Sequence, residues 1–329
     1  MTKPAWMVAI ACVLLASTAR SQIKPNKEQI LFYTPDWKGE RFPDGRPKVA
    51  DNLLERALDV SIEDVWDYLR GQGYVNQFEA GWQALHIDKP FAGRALTAQF
   101  MPRRPDMAAA VGAEGRAEGR VSGTNSWVIS ELQMGDTMVV DGYGKIVEGT
   151  IIGSNLGSGI AAHTHSGFVF DAGIRDAEEN REIANLNGFY RGYDPSAWAQ
   201  MQLTGINVPV RIGRAVVLPG DLVLAKQDGV IFIPAILAAA AVARAEFTNL
   251  QDAFNFELNK AGTNGAEFEG GWTPQKFAAL AKWVDAHPEK LKMTRAEFNE
   301  LLQQAQTPRG GRGSGGGRGG RGDGGGRNR

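Results

Sequence analysis

Short apolar runs recur along the chain between residues 91 and 234, and glycine, proline or aspartate bounds most of them. Such runs, rich in β-branched residues, are typical of strands that are buried in a sheet. Apolar residues at helical spacing lie on either side, over 51–72, where Ser61 is placed to cap a helix, and over 235–260. The pattern therefore predicts an α/β fold. The predicted strands are 91–100, 137–143, 167–172, 208–218, 222–225 and 229–234.

The same pattern divides the chain into segments. Residues 22–50 contain four prolines, which predicts an extended arm before a domain at 51–260. Within that domain, the glycines and charges of 103–122 predict a loop insertion. A helical extension is expected at 261–306, and the glycine- and arginine-rich segment 307–329 is expected to be disordered. The helix-start signals of the extension are Thr273-Pro274 and a capping box from Thr294 to Glu297.

The first 21 residues have the features of a secretory signal peptide. Lys3 is followed by an apolar run over 6–16, and small residues come next, with Ala19 and Ser21 placed as at a signal-peptidase site. The run is too short to span a bilayer as a permanent anchor. We therefore expect the protein to be exported, to the periplasm or out of the cell, after cleavage. The only cysteine, Cys12, lies in this run, so the mature protein would have no disulfide and no thiolate metal ligand.

The formal net charge of −1 conceals an uneven distribution of charges. The segment from Arg309 to Arg329 carries six arginines and one aspartate, and the signal segment is also basic, so the body between them is acidic. An acidic body is a poor surface for nucleic acid. The partner of the arginine-rich tail is left open, since a solubilising role and contact with an anionic envelope surface both fit an exported protein.

The densest candidate chemistry lies between Gly153 and Asp176. A glycine-rich turn is followed by a short helical stretch, an apolar strand and an adjacent Arg175–Asp176 pair. Glycines let the backbone approach a ligand closely and leave N–H groups free to hold an anion. A guanidinium beside a carboxylate offers a fixed charge for an acid and an oxygen ligand for a hard metal ion. The segment therefore predicts a pocket for an anionic, metal-chelating molecule.

Together with the blocks around it, this segment resembles the family named after the regulator of ribonuclease activity A, or RraA. The resemblance covers about residues 55–250, and its specificity comes from the order and spacing of the blocks. It implies a swivelling β/β/α sandwich that assembles as a homotrimer with sites between subunits. The enzymatic branch of the family contains the 4-hydroxy-4-methyl-2-oxoglutarate aldolases, which use Mg²⁺ or Mn²⁺ and also decarboxylate oxaloacetate. The matching blocks are SIEDVWDYL, FAGRALTAQF, GDTMVVDGYG, the turn at Gly153, GFVFDAGIRDAEE, VPVRIGRAVVLPGDLV and DGVIFIP.

The resemblance also implies roles for single residues. Asp176 would be the direct metal ligand, and Arg175 would bind the substrate near its keto oxygen. The aldolases commonly carry an acidic residue directly after the first glycine of the turn, where it orients a metal-bound water, whereas this chain has Ser154. The backbone N–H groups that would hold the substrate carboxylate are those of Gly153, Ser154, Asn155 and Leu156.

Three further residues are candidates for the surroundings of the metal: Glu179, His163 and His165. At positions i and i+2 the two histidines face different sides of a helix, so a shared metal ion is not expected. They are either ordinary surface and packing residues, or one of them replaces the missing acidic residue. Glu246, on the helix after the last strand, is a candidate for a carboxylate that reaches a neighbouring subunit.

The resulting functional prediction is a divalent-metal-dependent lyase that cleaves 4-hydroxy-2-oxo acids, decarboxylates oxaloacetate, or does both, through a pyruvate enolate. A metal ion and a guanidinium would stabilise the charge that develops on the 2-oxygen. The alternative is a non-catalytic protein that acts through protein contacts, as the namesake branch of the family does. That branch lacks the aspartate of the pair, so Asp176 and the export signal favour the enzyme. A third hypothesis, methyl transfer to a quinone, is disfavoured because the turn does not form a nucleotide site.

Overall fold

The computed structural model describes residues 23–262 and 271–307. The chain divides into two compact units, Met1–Asn249 and Leu250–Arg329. The predicted signal segment 1–21 and residues 308–329 of the predicted tail lie outside the described residues, and both predictions stay as they are. Among the described residues, no helix is both long enough and apolar enough to cross a membrane.

The predicted α/β fold is confirmed by a large sheet with helices around it. The strands are β1 (Phe78–Glu79), β2 (Gln83–Ala84), β3 (Phe91–Pro102), β4 (Asp136–Thr150), β5 (Gly167–Ile174), β6 (Asn187–Tyr193), β7 (Met201–Ile206), β8 (Val210–Ile212), β9 (Ala215–Val217), β10 (Leu222–Lys226) and β11 (Gly229–Ile233). The α-helices are α1 (Lys27–Tyr33), α2 (Asp51–Ala57), α3 (Ile62–Gly71), α4 (Pro105–Ala117), α5 (Thr124–Ile129), α6 (Ser154–Thr164), α7 (Ala177–Arg181), α8 (Ala235–Lys260), α9 (Pro274–Ala286) and α10 (Arg295–Gln306).

The main sheet has the strand order β1-β11-β10-β3-β4-β5-β6-β2, with β7 paired to β3. Strands β1 and β2 end this order on opposite sides, yet only residues 80–82 separate them in the chain, so the two edges lie close together. Arg191 of β6 joins the edges. It donates to Glu79 of β1 at 2.9 Å and to Asp171 of β5 at 2.6 Å, and it stacks 3.8 Å above the Trp82 ring. Strands β3 to β6 run parallel, so their carboxyl ends share one edge.

Three apolar clusters hold this unit together. One face of the sheet packs against the β8–β9 hairpin, in a cluster that includes Val169, Phe232 and Ile212. The other face is covered by α5 and α6 over one part of the sheet and by α2, α3 and α8 over the other. Every residue of β5 is buried between these layers. A strand that is buried on both faces has a nearly continuous apolar sequence rather than an alternating one, which explains the pattern of residues 167–174. The charged residue in this strand, Asp171, is paired with Arg191.

The prediction of an extended arm over residues 22–50 is wrong. The segment contains α1, which begins with a capping box at Asn26, and it contributes Ile30 and Val49 to the buried interior. Arg46 is completely buried and forms a bidentate ion pair with Asp136 at the start of β4, with N–O distances of 3.2 and 3.0 Å. Because a buried charge is stable only when it is paired, this contact fixes the segment to the sheet.

The prediction of a loop insertion over residues 103–122 is also wrong, because most of it forms α4. Pro105 occupies the first turn of the helix, where its missing N–H has no consequence. Gly115 is buried, and a Cβ added there would overlap the ring of Trp127. That glycine therefore serves close packing of the helix rather than a turn.

Several predicted elements have different bounds. The predicted helix over 51–72 is two helices, α2 and α3, and Ser61 caps the second by accepting the Asp64 backbone N–H. The predicted strand over 208–218 is the β8–β9 hairpin, with Gly213 at a positive φ of 57° in its turn. Strands β6 and β7 were not predicted, because glycines, asparagines and charges interrupt their apolar pattern.

The second unit contains the end of α8 and the helices α9 and α10. Thr273 caps α9 by accepting the Lys276 backbone N–H, and Thr294 forms the predicted capping box at the start of α10. The rings of Trp283 and Phe254 contact each other at a tilt of 59°, with 5.9 Å between their centroids. The helix starts of the extension thus follow from the sequence.

Asp221 makes the stability of the first unit dependent on pH. It is completely buried, it accepts the backbone N–H groups of Leu218 and Ala235 at 2.8 and 3.2 Å, and burial raises its pKa to about 7. The folded state therefore binds this proton more tightly than the unfolded chain, whose aspartate has a pKa of about 3.9. The stabilisation from that proton is complete below about pH 4 and is lost as the pH rises to 7.

We expect Asp221→Asn to remove the loss of folding stability that the wild type shows as the pH rises to 7. At pH 5 the variant should be less stable than the wild type by about 1–2 kcal/mol, because an asparagine accepts only one of the two N–H groups. Its deficit should shrink steadily as the pH is raised to 8. Urea denaturation of both proteins at pH 5, 6, 7 and 8 measures the difference, and a deficit that is the same at all four pH values would contradict the assignment.

Candidate active site

The candidate site lies at the carboxyl edge of the parallel strands. The ladder between β4 and β5 continues beyond β4: the Ile151 N–H donates to the Gly173 carbonyl, and the Arg175 N–H donates to the Ile152 carbonyl, both at 3.0 Å. This continuation brings Gly153, which precedes α6, against the Arg175–Asp176 pair, which follows β5. Crevices at the carboxyl ends of parallel strands are the usual ligand sites of α/β folds.

Asp176 has an unusual backbone conformation that directs its side chain. Its φ of 53° and ψ of 42° are left-handed, a region that few residues other than glycine adopt. The carboxylate points at the start of α6, where the Ser154 N–H donates to Oδ2 at 3.2 Å. Nε of Arg175 lies 4.0 Å from the same oxygen, and the two side chains are 43% and 35% exposed. Both charged groups are therefore close together and open to a ligand.

Gly153 is a glycine because of this close approach. Its φ of −112° is accessible to any residue, so backbone freedom does not explain it. A Cβ at this position would overlap Oδ2 of Asp176 and would lie 3.1 Å from Nε of Arg175. The absence of a side chain thus allows the carboxylate to accept the Ser154 N–H and the guanidinium to lie against the same stretch of backbone.

The first turn of α6 supplies N–H groups at the same point. The first N–H groups of a helix have no partner within the helix, and they carry the positive end of its dipole. The N–H of Ser154 is used by Asp176, and those of Asn155 and Leu156 follow it in the first turn. The N–H groups of Asn155 and Leu156, together with the Arg175 guanidinium, make the amino end of α6 positive, which suits the binding of a carboxylate.

The residues at this site fit a divalent metal ion that has one protein ligand. Within residues 23–262 and 271–307, no three His, Cys, Asp or Glu side chains come together in a way that could hold a metal ion. Asp176 alone offers a partly exposed carboxylate, and its oxygens keep free lone pairs beside the one bond from Ser154. Mg²⁺ keeps several waters and often binds proteins through one or two carboxylates, so a single aspartate is sufficient.

The structure brings only some of the predicted site residues together. Glu179 lies on the exposed face of α7, close in sequence to Asp176. His163 and His165 lie at the opposite end of α6, roughly 15 Å along the helix from Gly153 at 1.5 Å per residue. Both histidines are exposed, so neither replaces the missing acidic residue within the same chain.

The suggestion that Glu246 reaches a neighbouring subunit is wrong. Glu246 is buried, and both of its carboxylate oxygens accept from Arg56, at 3.0 and 2.6 Å. This bidentate pair joins α2 to α8, so the carboxylate has a structural role. The partner lies 190 positions away in the sequence, which is why the sequence pattern gave no sign of the pair.

Two buried asparagines support the site and were not predicted. Asn125 of α5 donates to the carbonyl of Ile151 at 2.8 Å and so fixes the chain just before the glycine turn. Asn180 of α7 donates to the carbonyls of Arg175 and Asp176 at 3.1 and 2.8 Å. Asparagines are common in short helices, so the sequence gives no signal for these roles. The fold shows which carbonyls the two amides reach.

We expect Gly153→Ala to destabilise the protein by about 1–3 kcal/mol, because the added methyl group must displace Asp176 or Arg175. Gly159→Ala is the matched control on the same helix. Its Cβ would meet Ile129 at 3.4 Å, an ordinary contact, and alanine favours a helix interior. Urea denaturation of the two variants provides the measurement. Equal effects of the two substitutions would show that the space between Gly153 and the Arg175–Asp176 pair can accommodate a methyl group.

The sequence profile of the RraA-like family, described as Aldolase/RraA, matches residues 61–232. A protein of Thermus thermophilus named 4-hydroxy-4-methyl-2-oxoglutarate aldolase is 29% identical over 107 residues, which cover 32% of this chain and 64% of that protein. A Halalkalibacterium halodurans protein provisionally given the same name is 34% identical over 120 residues, which cover 34% of this chain and 54% of the relative. The chain therefore spans between about half and two thirds of the length of these curated relatives.

Solved structures show the same fold. Streptomyces coelicolor RraAS2, described as an unusual member of the RNase ES inhibitor RraA family, superposes with a TM-score of 0.50 and 27% identity, over 67% of this chain and 98% of that chain. An uncharacterised Pseudomonas syringae protein superposes with a TM-score of 0.52 and 21% identity, over 66% of this chain and 96% of that chain. The profile match extends over more than half of the chain, and the protein therefore belongs to the RraA-like family.

Proposed function

We propose that the protein is a divalent-metal-dependent lyase that acts on small 2-oxo acids, by retro-aldol cleavage of 4-hydroxy-2-oxo acids, by decarboxylation of oxaloacetate, or by both. The observation that supports this most directly is the meeting of three groups at one point: the Asp176 carboxylate, the Arg175 guanidinium and the first N–H groups of α6. The relatives that carry an aldolase name point to the same class of reaction.

Each group has a task that follows from its chemistry. The N–H groups of Asn155 and Leu156 would bind the substrate carboxylate at the positive end of α6. Arg175 would donate to the 2-oxo oxygen, where negative charge develops when the carbon–carbon bond breaks. Asp176 would hold Mg²⁺ or Mn²⁺, which when bound polarises the 2-oxo group of the acid. An electrostatic contact of this kind contributes about 3 kcal/mol to the stability of a transition state.

Two further properties belong to this proposal. We propose that the chain assembles as a homotrimer, as the family resemblance implies, with a neighbouring subunit beside each exposed Arg175–Asp176 pair. We also propose that the protein acts outside the cytoplasm, because of the signal-like segment 1–21. The target of the arginine-rich tail is left open.

Substitution of Asp176 by asparagine tests the assignment. The amide keeps the shape of the side chain and can still accept the Ser154 N–H, but it has no charge to hold a divalent cation. We expect the rate with oxaloacetate and Mn²⁺ to fall at least 100-fold. Glu178→Gln, which neutralises an exposed carboxylate two residues away, should leave the rate within a factor of two.

The possible outcomes separate the two candidate functions. A rate that is unchanged in Asp176→Asn would remove this carboxylate from the chemistry. No turnover of any 2-oxo acid by the wild type, with either metal ion, would favour a protein that acts through protein contacts. The similarity to Streptomyces coelicolor RraAS2 is the observation behind that second candidate.

Ser154 is the position where this chain departs from the aldolases it resembles. Its side chain is half-buried at the first position of α6, one residue from Gly153. An aspartate is favoured there by the helix dipole, and it could hold a metal-bound water. We expect Ser154→Asp to raise kcat with Mn²⁺ several-fold, whereas Ser158→Asp, on the exposed part of the same helix, should not. Steady-state kinetics of the two variants with Mn²⁺ provide the measurement. A fall in kcat for Ser154→Asp would contradict the expectation that a carboxylate at this position helps the reaction.

A further inference from the structure

Asn180 is the one polar side chain that is completely buried between α6 and α7 in the described part of the site. Its Nδ2 donates to two successive carbonyls, those of Arg175 at 3.1 Å and Asp176 at 2.8 Å, and its backbone N–H also donates to the Asp176 carbonyl at 2.9 Å. The two residues of the charged pair are therefore held through their backbone by a single side chain.

The other end of the same amide lies against α6. A Cβ at Gly157 would overlap Oδ1 of Asn180 and would lie 3.3 Å from Ile183. Oδ1 is buried without a hydrogen-bond partner among the described residues. An unpaired buried carbonyl oxygen is unfavourable for stability, so the packing of Asn180 on Gly157 is not explained by stability alone.

We propose that Asn180 is a positioning residue that keeps the carboxylate of Asp176 at the amino end of α6. The inference rests on the proposed function, since it deepens the role given there to Asp176. Without the side-chain amide, the Arg175 carbonyl loses its bond from Asn180 and the Asp176 carbonyl keeps only the bond from the Asn180 backbone N–H. The left-handed backbone of Asp176 is less favourable than the right-handed region even for an aspartate, so it should relax to a right-handed or extended conformation. That change moves Oδ2 away from the Ser154 N–H and from the metal position.

The substitution Asn180→Leu tests this inference, because leucine has the same branching at Cγ as asparagine and donates nothing. We expect the affinity for Mn²⁺ in the presence of pyruvate to fall at least tenfold by titration calorimetry. We also expect hydrogen exchange of the peptide that contains Ser154 to increase, since its N–H loses the Asp176 acceptor. This second measurement does not depend on activity.

Asn187→Leu is the matched control. Asn187 is also buried and also donates to two carbonyls, those of His86 and Lys89, but it lies at the amino end of β6, away from the site. Its loss should lower the melting temperature without changing Mn²⁺ affinity or the exchange of the Ser154 peptide. A merely structural role for Asn180 would give the same result as this control.

Gly157→Ala provides a second variant if Asn180→Leu does not fold. Alanine favours a helix, but its methyl group would push against Oδ1 of Asn180 from the side of α6, so the same loss of Mn²⁺ affinity is expected. Unchanged Mn²⁺ affinity and unchanged exchange in the folded variants would overturn the role of Asn180 and leave the proposed function intact. If the wild type itself binds no Mn²⁺, the proposed function fails, and the exchange of the Ser154 peptide still decides whether Asn180 positions Asp176.

Discussion

The candidate site depends on one contact, between the carboxylate after β5 and the first N–H of α6. Gly153 has no side chain, so the Asp176 carboxylate can reach the Ser154 N–H. The continued β4–β5 ladder brings the two chain segments side by side, and the complete burial of β5 makes that ladder rigid. The sheet thus acts as a fixed support for a charged pair that is itself exposed. Catalytic groups are commonly positioned in this way, on the ends of buried elements.

The parts of the fold that could be predicted from sequence are those with a strong local pattern. Strand β5 is an apolar run interrupted only by Asp171, α8 is rich in alanine, and the caps at Ser61 and Thr294 are formed by residues three positions apart. The candidate site could also be proposed from the sequence, because its two halves lie within one segment of 24 residues, from Gly153 to Asp176. The structure brings Gly153 and the Arg175–Asp176 pair together, as the spacing predicts, and their roles stay a proposal.

The parts that could not be predicted depend on distant partners. Residues 22–50 have the composition of a linker, but Arg46 has its carboxylate partner 90 positions away, at Asp136. Glu246 has the appearance of a free carboxylate in the sequence, because its partner Arg56 lies 190 positions away. Gly115 suggested a loop because the ring of Trp127 that it accommodates belongs to another helix. In each case a tertiary contact decides the role of the residue.

The contact between Asp176 and α6 also gives a physical reason for the metal ion in the proposed function. The carboxylate of Asp176 already neutralises part of the positive helix end, through the Ser154 N–H. A second carboxylate, from a substrate, would then lie near the first one, and two negative charges 4 Å apart repel each other by about 4 kcal/mol at an effective dielectric constant of 20. Arg175 offsets part of this repulsion, but it is a single charge at 4.0 Å and 43% exposed. A divalent ion beside Asp176 would remove the rest, so acid binding and metal binding should be coupled at this site.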